Sequence, residues 1–365
     1  MNSFKKFCLS VLMVVFSSLS FGQQEKKIPL FYSPQYNISF WGLERIHPFD
    51  AAKYGKVVTA LKKYFGLEDA NFFAPEKMVT DEDLELVHTK NYLDSLKDTL
   101  NVLDIAEMVP EQNTFWGFPR WMMSFIPNRL LQKKLLNPMR WATAGTVQAA
   151  RLALENKKAA VNIGGGFHHA KRNEFEKTSF CYFGDIQFTI EKLWQKDKGL
   201  KVLIVDLDAH QGDGYESYFL KTKAAVGKKN ATFDKRITIF DMYNEDLPEH
   251  RQDELKGKYN FPLSSGTKTE EFLKILKQNF PKAVEESRPN LIIYNAGTDI
   301  LQKDPEGELN VSKAGIIKRD EFIFKVARKN GIPVCMVTSG GYTSESAGVI
   351  ADSLINLVEK KYISV

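Results

Sequence analysis

The chain has 365 residues, of which 43% are hydrophobic and 26% charged, the ordinary composition of a globular protein with a large core. A formal charge of +5 without a cluster of Lys or Arg argues against direct nucleic-acid binding. Three cysteines are too few for a zinc site built from four cysteines.

The first 22 residues have the pattern of a secretory signal peptide. Lys5 and Lys6 precede the apolar run Leu9–Phe16, and Ser20–Gly22 supplies small residues where a signal peptidase would cut. We therefore expect a signal peptide over residues 1–22 and a single catalytic domain over residues 23–365. The protein would be exported, periplasmic or secreted, with no stable membrane span after signal removal. The alternatives are a retained N-terminal anchor or, if this interpretation is wrong, a cytoplasmic protein.

The chain before residue 159 is mostly helical in pattern. Phe49–Phe65 and Arg140–Leu154 are the clearest predicted helices. Between them, Asn113–Ser124 (NTFWGFPRWMMS) is rich in aromatic residues. This segment either packs against a helix or forms a lid or acyl-chain groove near the active site.

Five apolar runs rich in Val and Ile predict strands that are buried on both faces of a parallel sheet. They are Ala159–Gly166, Lys201–Asp208, Ile237–Tyr243, Leu291–Asp299 and Ile332–Gly341. Predicted helices alternate with them at Asp185–Trp194, Thr269–Phe280, Ser312–Lys329 and Ser344–Lys360. The pattern indicates an α/β fold, a single domain with a mainly parallel sheet and helices on both faces. Cys181 and Cys335 lie in core segments and are expected to be packed thiols.

The active site of such a sheet lies outside the carboxyl ends of its strands. The first predicted strand runs into NIGGGFHHA, where three glycines let the backbone turn sharply and approach a substrate around Gly166 and Phe167. His168 and His169 follow. Two adjacent histidines at this point are candidates for general acid and base.

The next strand runs into DLDAHQGDG. Asp208 and His210 offer a carboxylate oxygen and an imidazole nitrogen, a partial coordination shell for Zn²⁺. If the strand continued, Asp206, Asp208 and His210 would share one side of it. Asp206 and Asp213 remain as carboxylates that could orient the histidines.

Two further strand ends complete the candidate site. YNAGTD places Asp299 where it could supply a third metal ligand and leave a coordination position for water, although a helix cap is the simpler explanation of this residue alone. SGGY places Tyr342 on a Gly-Gly turn, from which its phenol could donate to a developing oxyanion. Together these residues predict a zinc-dependent amidohydrolase, in which Fe²⁺ could replace zinc.

The motifs GGGFHHA, DLDAHQGDG, NAGTDILQKDPEGELNVSKAGIIKRDE and MVTSGGY resemble the histone deacetylase superfamily and stand in that family's order. The segments Tyr36–Val57 (YNISFWGLERIHPFDAAKYGKV) and Val87–Lys97 (VHTKNYLDSLK) resemble its class IV members, of the arginase/deacetylase fold. The similarity extends from about Ile28 to Leu357, and an exported member would be of a bacterial type.

The resemblance implies roles for particular residues. Zinc would be held by Asp208, His210 and Asp299; His168 would pair with Asp206 and His169 with Asp213; Tyr342 would bind the oxyanion; and Phe180 would form an aromatic wall of the acyl-lysine tunnel. It also implies a structural K⁺ near the segment 206–210. One departure is Asp213, because the class IV pattern favours Asn at that position.

The expected substrate is an Nε-acyl-lysine peptide or a related acylated amine, with acetyl or a longer acyl group. An acetylpolyamine or small-molecule amide deacetylase is the alternative, and export would favour such substrates over histones. Other hypotheses are an arginase-like manganese hydrolase, a periplasmic sugar or peptidoglycan deacetylase, and a non-catalytic module that binds acylated amines. Too few bridging carboxylates argue against the two-metal enzyme, and the intact candidate site argues against the module.

Overall fold

Seven parallel strands form the central sheet of the computed structural model, which describes residues 27–38, 50, 52–107, 114–115, 118–173, 179–221, 232–247 and 259–364. The strands are, in chain order, β1 (Leu30–Phe31), β2 (Thr114–Phe115), β3 (Phe118–Pro119), β4 (Ala159–Asn162), β5 (Val202–Asp206), β6 (Leu220–Lys221), β7 (Thr232–Phe233), β8 (Ile237–Asn244), β9 (Tyr259–Leu263), β10 (Leu291–Asn295) and β11 (Val334–Val337). The order across the sheet is β1-β4-β11-β10-β5-β8-β9. β2 with β3 and β6 with β7 form two short antiparallel pairs. The predicted parallel sheet is confirmed.

Helices lie between the strands and after the last of them. They are α1 (Lys53–Phe65), α2 (Asp81–Leu84), α3 (Lys90–Ser95), α4 (Thr99–Ile105), α5 (Arg120–Met123), α6 (Asn128–Leu131), α7 (Asn137–Asn156), α8 (Asp185–Trp194), α9 (Asp213–Phe219), α10 (Thr269–Ser287), α11 (Lys313–Lys329) and α12 (Ser346–Glu359). A π-helical turn, Gln132–Leu136, leads from α6 into α7.

Burial on both faces of the sheet explains why the strand sequences are apolar without alternation. On β5, Leu203 and Val205 belong to the larger core cluster, to which α10, α11 and α12 contribute. Val202 and Ile204 belong to a second cluster, with residues of α8 and α9. Each such side chain contributes about 1.5–3 kcal/mol when it is fully buried. Helices therefore cover both faces, as the sequence predicts.

Four of the five predicted strands are shorter than the predicted runs because the chain turns into loops at their carboxyl ends, whereas β8 extends one residue further than predicted, to Asn244. β4 ends at Asn162, and Gly165 and Gly166 then adopt φ values of +71° and +84°. β5 ends at Asp206, so the strand does not continue as it would have to for Asp206, Asp208 and His210 to share one side of it. Asp208 and His210 instead lie on the loop that follows β5.

The structure also differs from the prediction at the two edges of the sheet and at the end of one helix. The edge strands β1 and β9 are not among the predicted strands, and α10 continues through Pro281 although its prediction ends at Phe280. Proline removes one helical hydrogen bond, but buried side chains on both sides of it hold the helix against the sheet. Cys181 and Cys335 are buried and are not joined in a disulfide, which confirms that they are packed thiols.

The predicted signal peptide, residues 1–22, lies outside the described residues. So do Asn113, Trp116 and Gly117 of the aromatic segment. Within the described ranges, no helix combines the length and apolar composition that a membrane span requires.

Candidate metal centre and catalytic site

Four loops at the carboxyl ends of adjacent strands form the candidate site. In the sheet, β4, β11, β10 and β5 lie side by side, and the loops that follow them carry the predicted residues. His168 and His169 follow β4, Tyr342 follows β11, Asp299 follows β10, and Asp208 and His210 follow β5. The parallel topology thus brings together residues that are far apart in the chain.

Asp208, His210 and Asp299 form the candidate metal centre. Their possible ligand atoms all lie within 4.8 Å of one another, and all three side chains are buried. His210 Nδ1 is 3.1 Å from Asp208 Oδ1 and 3.4 Å from Asp299 Oδ2. Asp299 Oδ2 accepts no hydrogen bond from any described residue. An orphaned carboxylate oxygen beside a second carboxylate and an imidazole fits a divalent cation.

Two glycines leave room for this arrangement. A Cβ atom on Gly297 would lie 2.0 Å from Asp208 Oδ2, and one on Gly340 would lie 2.1 Å from Asp299 Oδ2. Asp208 Oδ2 also accepts hydrogen bonds from the Ser339 hydroxyl at 3.0 Å and from the Gly340 amide at 3.1 Å. The glycines of NAGTD and SGGY are therefore required because the carboxylates approach the backbone closely.

The electrostatics of the three groups also favour a cation. Burial and the charge of Asp208 raise the pKa of Asp299 to about 7. Burial lowers the pKa of His210, but the hydrogen bond with Asp208 and the charges of Asp299 and Asp208 outweigh it and raise that pKa well above its usual range. Two buried carboxylates this close repel each other unless a positive charge lies between them.

The two histidines each contact a different aspartate, in the pairs that the resemblance implies. His168 Nδ1 is 2.8 Å from Asp206 Oδ2, and His169 Nδ1 is 2.9 Å from Asp213 Oδ1. The centroids of the two imidazole rings are 4.2 Å apart. Lys171, which is itself buried, forms an ion pair with the other oxygen of Asp213. Asp213, the departure from the class IV pattern, thus has a cationic partner, Lys171, in addition to the His169 imidazole.

The surroundings shift the pKa values of the two histidines in opposite directions. Burial lowers the pKa of His168, but the charges of Asp206 and Asp208 outweigh burial and raise it to about 10. Burial and the neighbouring His168 charge lower the pKa of His169, and Asp213 opposes this only in part. His168 therefore holds a proton more firmly than His169.

Tyr342 lies beside the candidate metal centre. The centroid of its ring is 6.1 Å from that of His210, and its backbone amide donates to Asp304 Oδ2 at 2.8 Å. Burial raises the pKa of the phenol well above its usual range, so the phenol keeps its proton and can act as a donor.

The predicted substrate-contacting residues lie in the same region. The Ser339 hydroxyl oxygen lies 3.0 Å from the carbonyl oxygen of Gly166, and Asp185 accepts from the amides of Gly166 and Phe167. Phe167 and Phe180 both pack against the larger core cluster. Phe180 has a φ of +50°, and its amide donates to the carbonyl of Ile105, the last residue of α4.

Several residues that support the site are not among the sequence predictions. Lys53 of α1 is buried and donates to the carbonyl of Ser339 at 2.5 Å. Burial lowers the pKa of Lys53 to about 8, although the charges of Asp299 and Asp208 oppose this. Arg319 of α11 donates to the carbonyls of Leu207, Ala296 and Gly297, and so joins the loops after β5 and β10. These contacts have no local sequence signal.

His88 is a third buried histidine, but its contacts are structural. Its Nδ1 is 2.8 Å from the carbonyl of Lys171, and its Nε2 accepts from the amide of Gly184 at 3.0 Å. Burial lowers its pKa to about 4. The ring is therefore neutral in the folded protein at neutral pH.

This burial predicts an acid-dependent loss of stability. The pKa of His88 in the folded protein lies below its value of about 6.5 in the unfolded chain. As the pH falls from 6.5 to 4, the His88 ring therefore binds a proton only in the unfolded chain. The free energy of unfolding should decrease by about 3 kcal/mol over that window and not decrease further below it through this group. Urea unfolding at pH 7.5 and 4.5 measures the effect. His88→Phe should be less stable at pH 7.5 yet lose less between the two pH values, and an equal loss in both proteins contradicts the assignment.

Comparison with known proteins shows the family to which the chain is similar. The sequence profile described as "Histone deacetylase domain" matches residues 47–358. The chain is 40% identical to Histone deacetylase 2 of Arabidopsis thaliana over 342 residues, which are 93% of this chain and 81% of that protein. It is 33% identical to Histone deacetylase 1 of Homo sapiens over 211 residues, 55% of this chain and 40% of that protein.

Two solved structures share the fold. A structure titled as the HDA15 HD domain superposes with a TM-score of 0.64 at 16% identity, covering 89% of this chain and 87% of that one. An HDAC homolog complexed with SAHA superposes with a TM-score of 0.63 at 22% identity, covering 91% of this chain and 83% of that one. At such low identity the two structures support the architecture alone.

Proposed function

The chain belongs to the histone deacetylase family and is a hydrolytic deacetylase; we propose that it uses zinc to remove acetyl or longer acyl groups from Nε-acyl-lysine or related acylated amines. One observation carries the proposal. A buried Asp-His-Asp centre with an orphaned carboxylate oxygen contacts the His168–Asp206 pair, since His168 Nε2 lies 3.5 Å from Asp208 Oδ1. The second pair, His169–Asp213, lies beside it, with the two imidazole centroids 4.2 Å apart. The family relationship supports a deacetylase, and the metal and the substrate are the proposed parts.

Zinc is the proposed metal because Asp208, His210 and Asp299 are three nitrogen and oxygen ligands, the number that catalytic zinc sites use. Fe²⁺ is the alternative, and a structural K⁺ near the segment 206–210 belongs to the same proposal. When bound, the metal supplies a Lewis acid that polarises the amide carbonyl and acidifies the attacking water.

His169 is the proposed general base. Its Nδ1 is engaged by Asp213, which leaves Nε2 to accept a proton from the attacking water. His169 then returns that proton to the amine nitrogen as the C–N bond breaks. His168 stays protonated beside Asp206 and contributes positive charge near the developing oxyanion, to which Tyr342 donates a hydrogen bond.

The test is hydrolysis of acetyl-lysine and long-chain acyl-lysine peptides by the purified chain, with the zinc content measured on the same samples. Tyr342→Phe provides a matched control, because it should keep the metal and lower kcat by about 10²–10³. An acetylpolyamine should be hydrolysed poorly if acyl-lysine is the substrate. Bound metal without turnover of any acylated amine would favour a binding module, and a folded protein that binds no metal contradicts the site.

Export of the enzyme from the cytoplasm is also part of the proposal, because the compartment determines which substrates the enzyme encounters. An exported enzyme would encounter acylated peptides, acyl-lysine proteins outside the cytoplasm or acylated polyamines rather than histones. The mass of the protein purified from its native compartment tests for loss of residues 1–22.

We also propose that the aromatic segment contributes to the binding of substrates with a long acyl chain. Trp121 and Met122 of this segment and Phe125, the residue just after it, are exposed, at 61%, 40% and 73%, and the rings of Trp121 and Phe125 are 5.8 Å apart. Helix α4 connects this segment to the predicted tunnel wall, since the Thr99 hydroxyl donates to the carbonyl of Ile126 and Phe180 donates to the other end of the helix. Exposed apolar surface near a tunnel suits a long acyl chain better than acetyl.

Replacing Trp121 and Phe125 together with serine should lower kcat/KM for a long-chain acyl-lysine peptide by about tenfold, because less apolar surface is buried on binding. Hydrolysis of acetyl-lysine should change by less than about twofold. Tyr64→Ser removes another exposed aromatic ring, 56% exposed on α1, and serves as the control. Equal effects on both acyl lengths would exclude an acyl-binding role.

A further inference from the structure

A buried arginine lies against both of the loops that carry the carboxylate ligands of the candidate metal centre. Arg319 of α11 is fully buried, which is rare for an arginine unless the group is paired. Its Nη1 donates to the carbonyl of Leu207 at 3.0 Å and to that of Gly297 at 2.6 Å, and its Nη2 donates to the carbonyl of Ala296 at 3.3 Å. One side chain thus contacts the loop after β5 and the loop after β10.

The direction of these hydrogen bonds does not depend on a protonation state that a bound cation would change. A guanidinium group carries several N–H donors in a planar fork, has no acceptor and keeps its charge in proteins. The backbone carbonyl oxygens can only accept. Arg319 is therefore the donor in every one of these contacts.

The contacts lie at the point where β5 and β10 stop pairing. The last paired residues of the two strands are Asp206 and Asn295, and the Leu207 amide still donates to the carbonyl of Asn295 at 3.1 Å. Beyond this point the chain turns into two loops, where buried carbonyls need partners that the sheet no longer supplies. Arg319 provides those partners to both loops.

The contacted residues are close to both carboxylate ligands. Leu207 directly precedes Asp208, and Gly297 lies in the same loop as Asp299. Gly297 also faces the other loop, because a Cβ atom there would lie 2.0 Å from Asp208 Oδ2. The amide of Ala209 donates to Asp299 Oδ1 at 2.8 Å, which joins the two loops a second time. A displacement of either carbonyl would therefore change how the two carboxylates face each other.

Arg319 is itself held by a buried carboxylate. Its Nε donates to Asp320 Oδ1 at 2.8 Å, and the hydroxyls of Tyr294 and Ser353 also donate to Asp320. Tyr294 belongs to β10 and Ser353 to α12, so residues of three elements fix the ion pair. The guanidinium cannot turn away from the two loops without breaking this pair.

We propose that Arg319 is a positioning residue for the metal centre, whose guanidinium joins the loops after β5 and β10 and thereby fixes the Asp208 and Asp299 carboxylates relative to each other. It acts through the backbone of the two loops and is not a metal ligand. The inference rests on the proposed function only for its consequence in metal binding, since the contacts themselves are within the protein.

The first test is Arg319→Lys. It keeps a positive charge beside Asp320 but replaces the planar fork by a single ammonium group, which cannot hold both loops in the same geometry. We expect the dissociation constant of zinc, measured by competition with a chelator, to rise by about 10–100-fold, the cost of losing a group that orients metal ligands. KM for the acetyl-lysine peptide should be unchanged at saturating zinc, and added zinc should restore kcat because the ligands are still present.

Arg236→Lys is the matched control. Arg236 also donates to a carboxylate, that of Asp234, and to a backbone carbonyl, that of Lys198, but it directly precedes β8 at the end of the sheet opposite the site. Its zinc affinity should equal that of the wild type even where its melting temperature falls. A lower melting temperature of Arg319→Lys with unchanged zinc affinity would show a purely structural residue and overturn the inference.

A second variant changes the partner of the arginine instead of the arginine itself. Asp320→Asn keeps the size of the side chain and an acceptor for Arg319, but removes the charge that holds the guanidinium in place. The zinc dissociation constant should rise several-fold, by less than in Arg319→Lys. An unchanged value in Asp320→Asn would contradict the proposed role, including in the case that Arg319→Lys does not fold.

Hydrogen exchange provides a measurement that needs neither metal nor turnover. In Arg319→Lys the backbone amides of residues 207–210 and 296–299 should exchange faster in both segments together, while those of β8 and β9 keep their rates. Faster exchange in one segment alone, or throughout the sheet, would overturn the joint hold on the two loops. A wild type that binds no metal contradicts the proposed function, whereas the exchange of the two segments decides on the contacts of Arg319 by itself.

Discussion

Asp208→Asn combined with His210→Ala should abolish metal binding and lower kcat/KM for acyl-lysine peptides by at least about 10³. The double substitution removes two of the three side chains that converge within 4.8 Å. A Lewis acid that polarises the carbonyl and acidifies water contributes several kcal/mol to the barrier, and each 1.36 kcal/mol is a factor of ten. Metal content by elemental analysis and turnover should therefore fall together.

The control for this loss is Asp352→Asn, which removes an exposed carboxylate that pairs with Lys313 on the protein surface. It should keep one equivalent of metal and full turnover. Adding excess zinc should not restore the double variant, because the ligands themselves are missing. A double variant that still binds a metal and turns over substrate would show that the metal is held elsewhere.

His169→Ala should lower kcat by about 10²–10⁴, the range for loss of a general base. His168→Ala should cost less, because His168 contributes charge and position rather than accepting the proton. The expected asymmetry follows from the two pairs: Asp206 and Asp208 hold a proton on His168, whereas burial and the adjacent charge keep His169 neutral. Steady-state kinetics of both variants at pH 7.5, with zinc content measured in parallel, decides the assignment.

Two outcomes would contradict this assignment. A larger loss in His168→Ala than in His169→Ala would reverse the roles of the pair. An equal loss in both, accompanied by loss of zinc, would indicate that the imidazoles maintain the metal centre rather than transfer a proton. Lys171→Arg keeps the ion pair with Asp213 and should retain most of the activity, as a control for disturbance around His169.

The sequence predicts the central sheet and the main site residues for one physical reason. Parallel strands buried on both faces produce unbroken apolar runs, and the polar residues that end those runs must meet at one edge of the sheet. Asp208, Asp299, His168 and Tyr342 can therefore be placed near one another without coordinates. Their hydrogen bonds and ring orientations cannot, since these depend on where each loop turns after its strand ends.

The supporting residues show what sequence reasoning does not reach. Lys53 and Ser339 are 286 positions apart, and nothing near Lys53 in the sequence indicates that its ammonium group reaches the carbonyl of a catalytic loop. Tyr215 has the appearance of an ordinary core residue, yet its hydroxyl contacts Asp206 and Asp241, which lie on two neighbouring strands. The edge strands β1 and β9 are too short, or too polar, to produce a buried-strand pattern.

The order of strands in the sheet has a consequence for biosynthesis. β11 is the last strand to be translated, yet it lies between β4 and β10 at the centre of the sheet. A nascent chain that stops short of Val334–Val337 has two apolar strands with open edges and lacks the loop that carries Tyr342. Such edges pair readily with other chains. Chains that lose their last forty residues should therefore aggregate during synthesis rather than accumulate as inactive but folded enzyme.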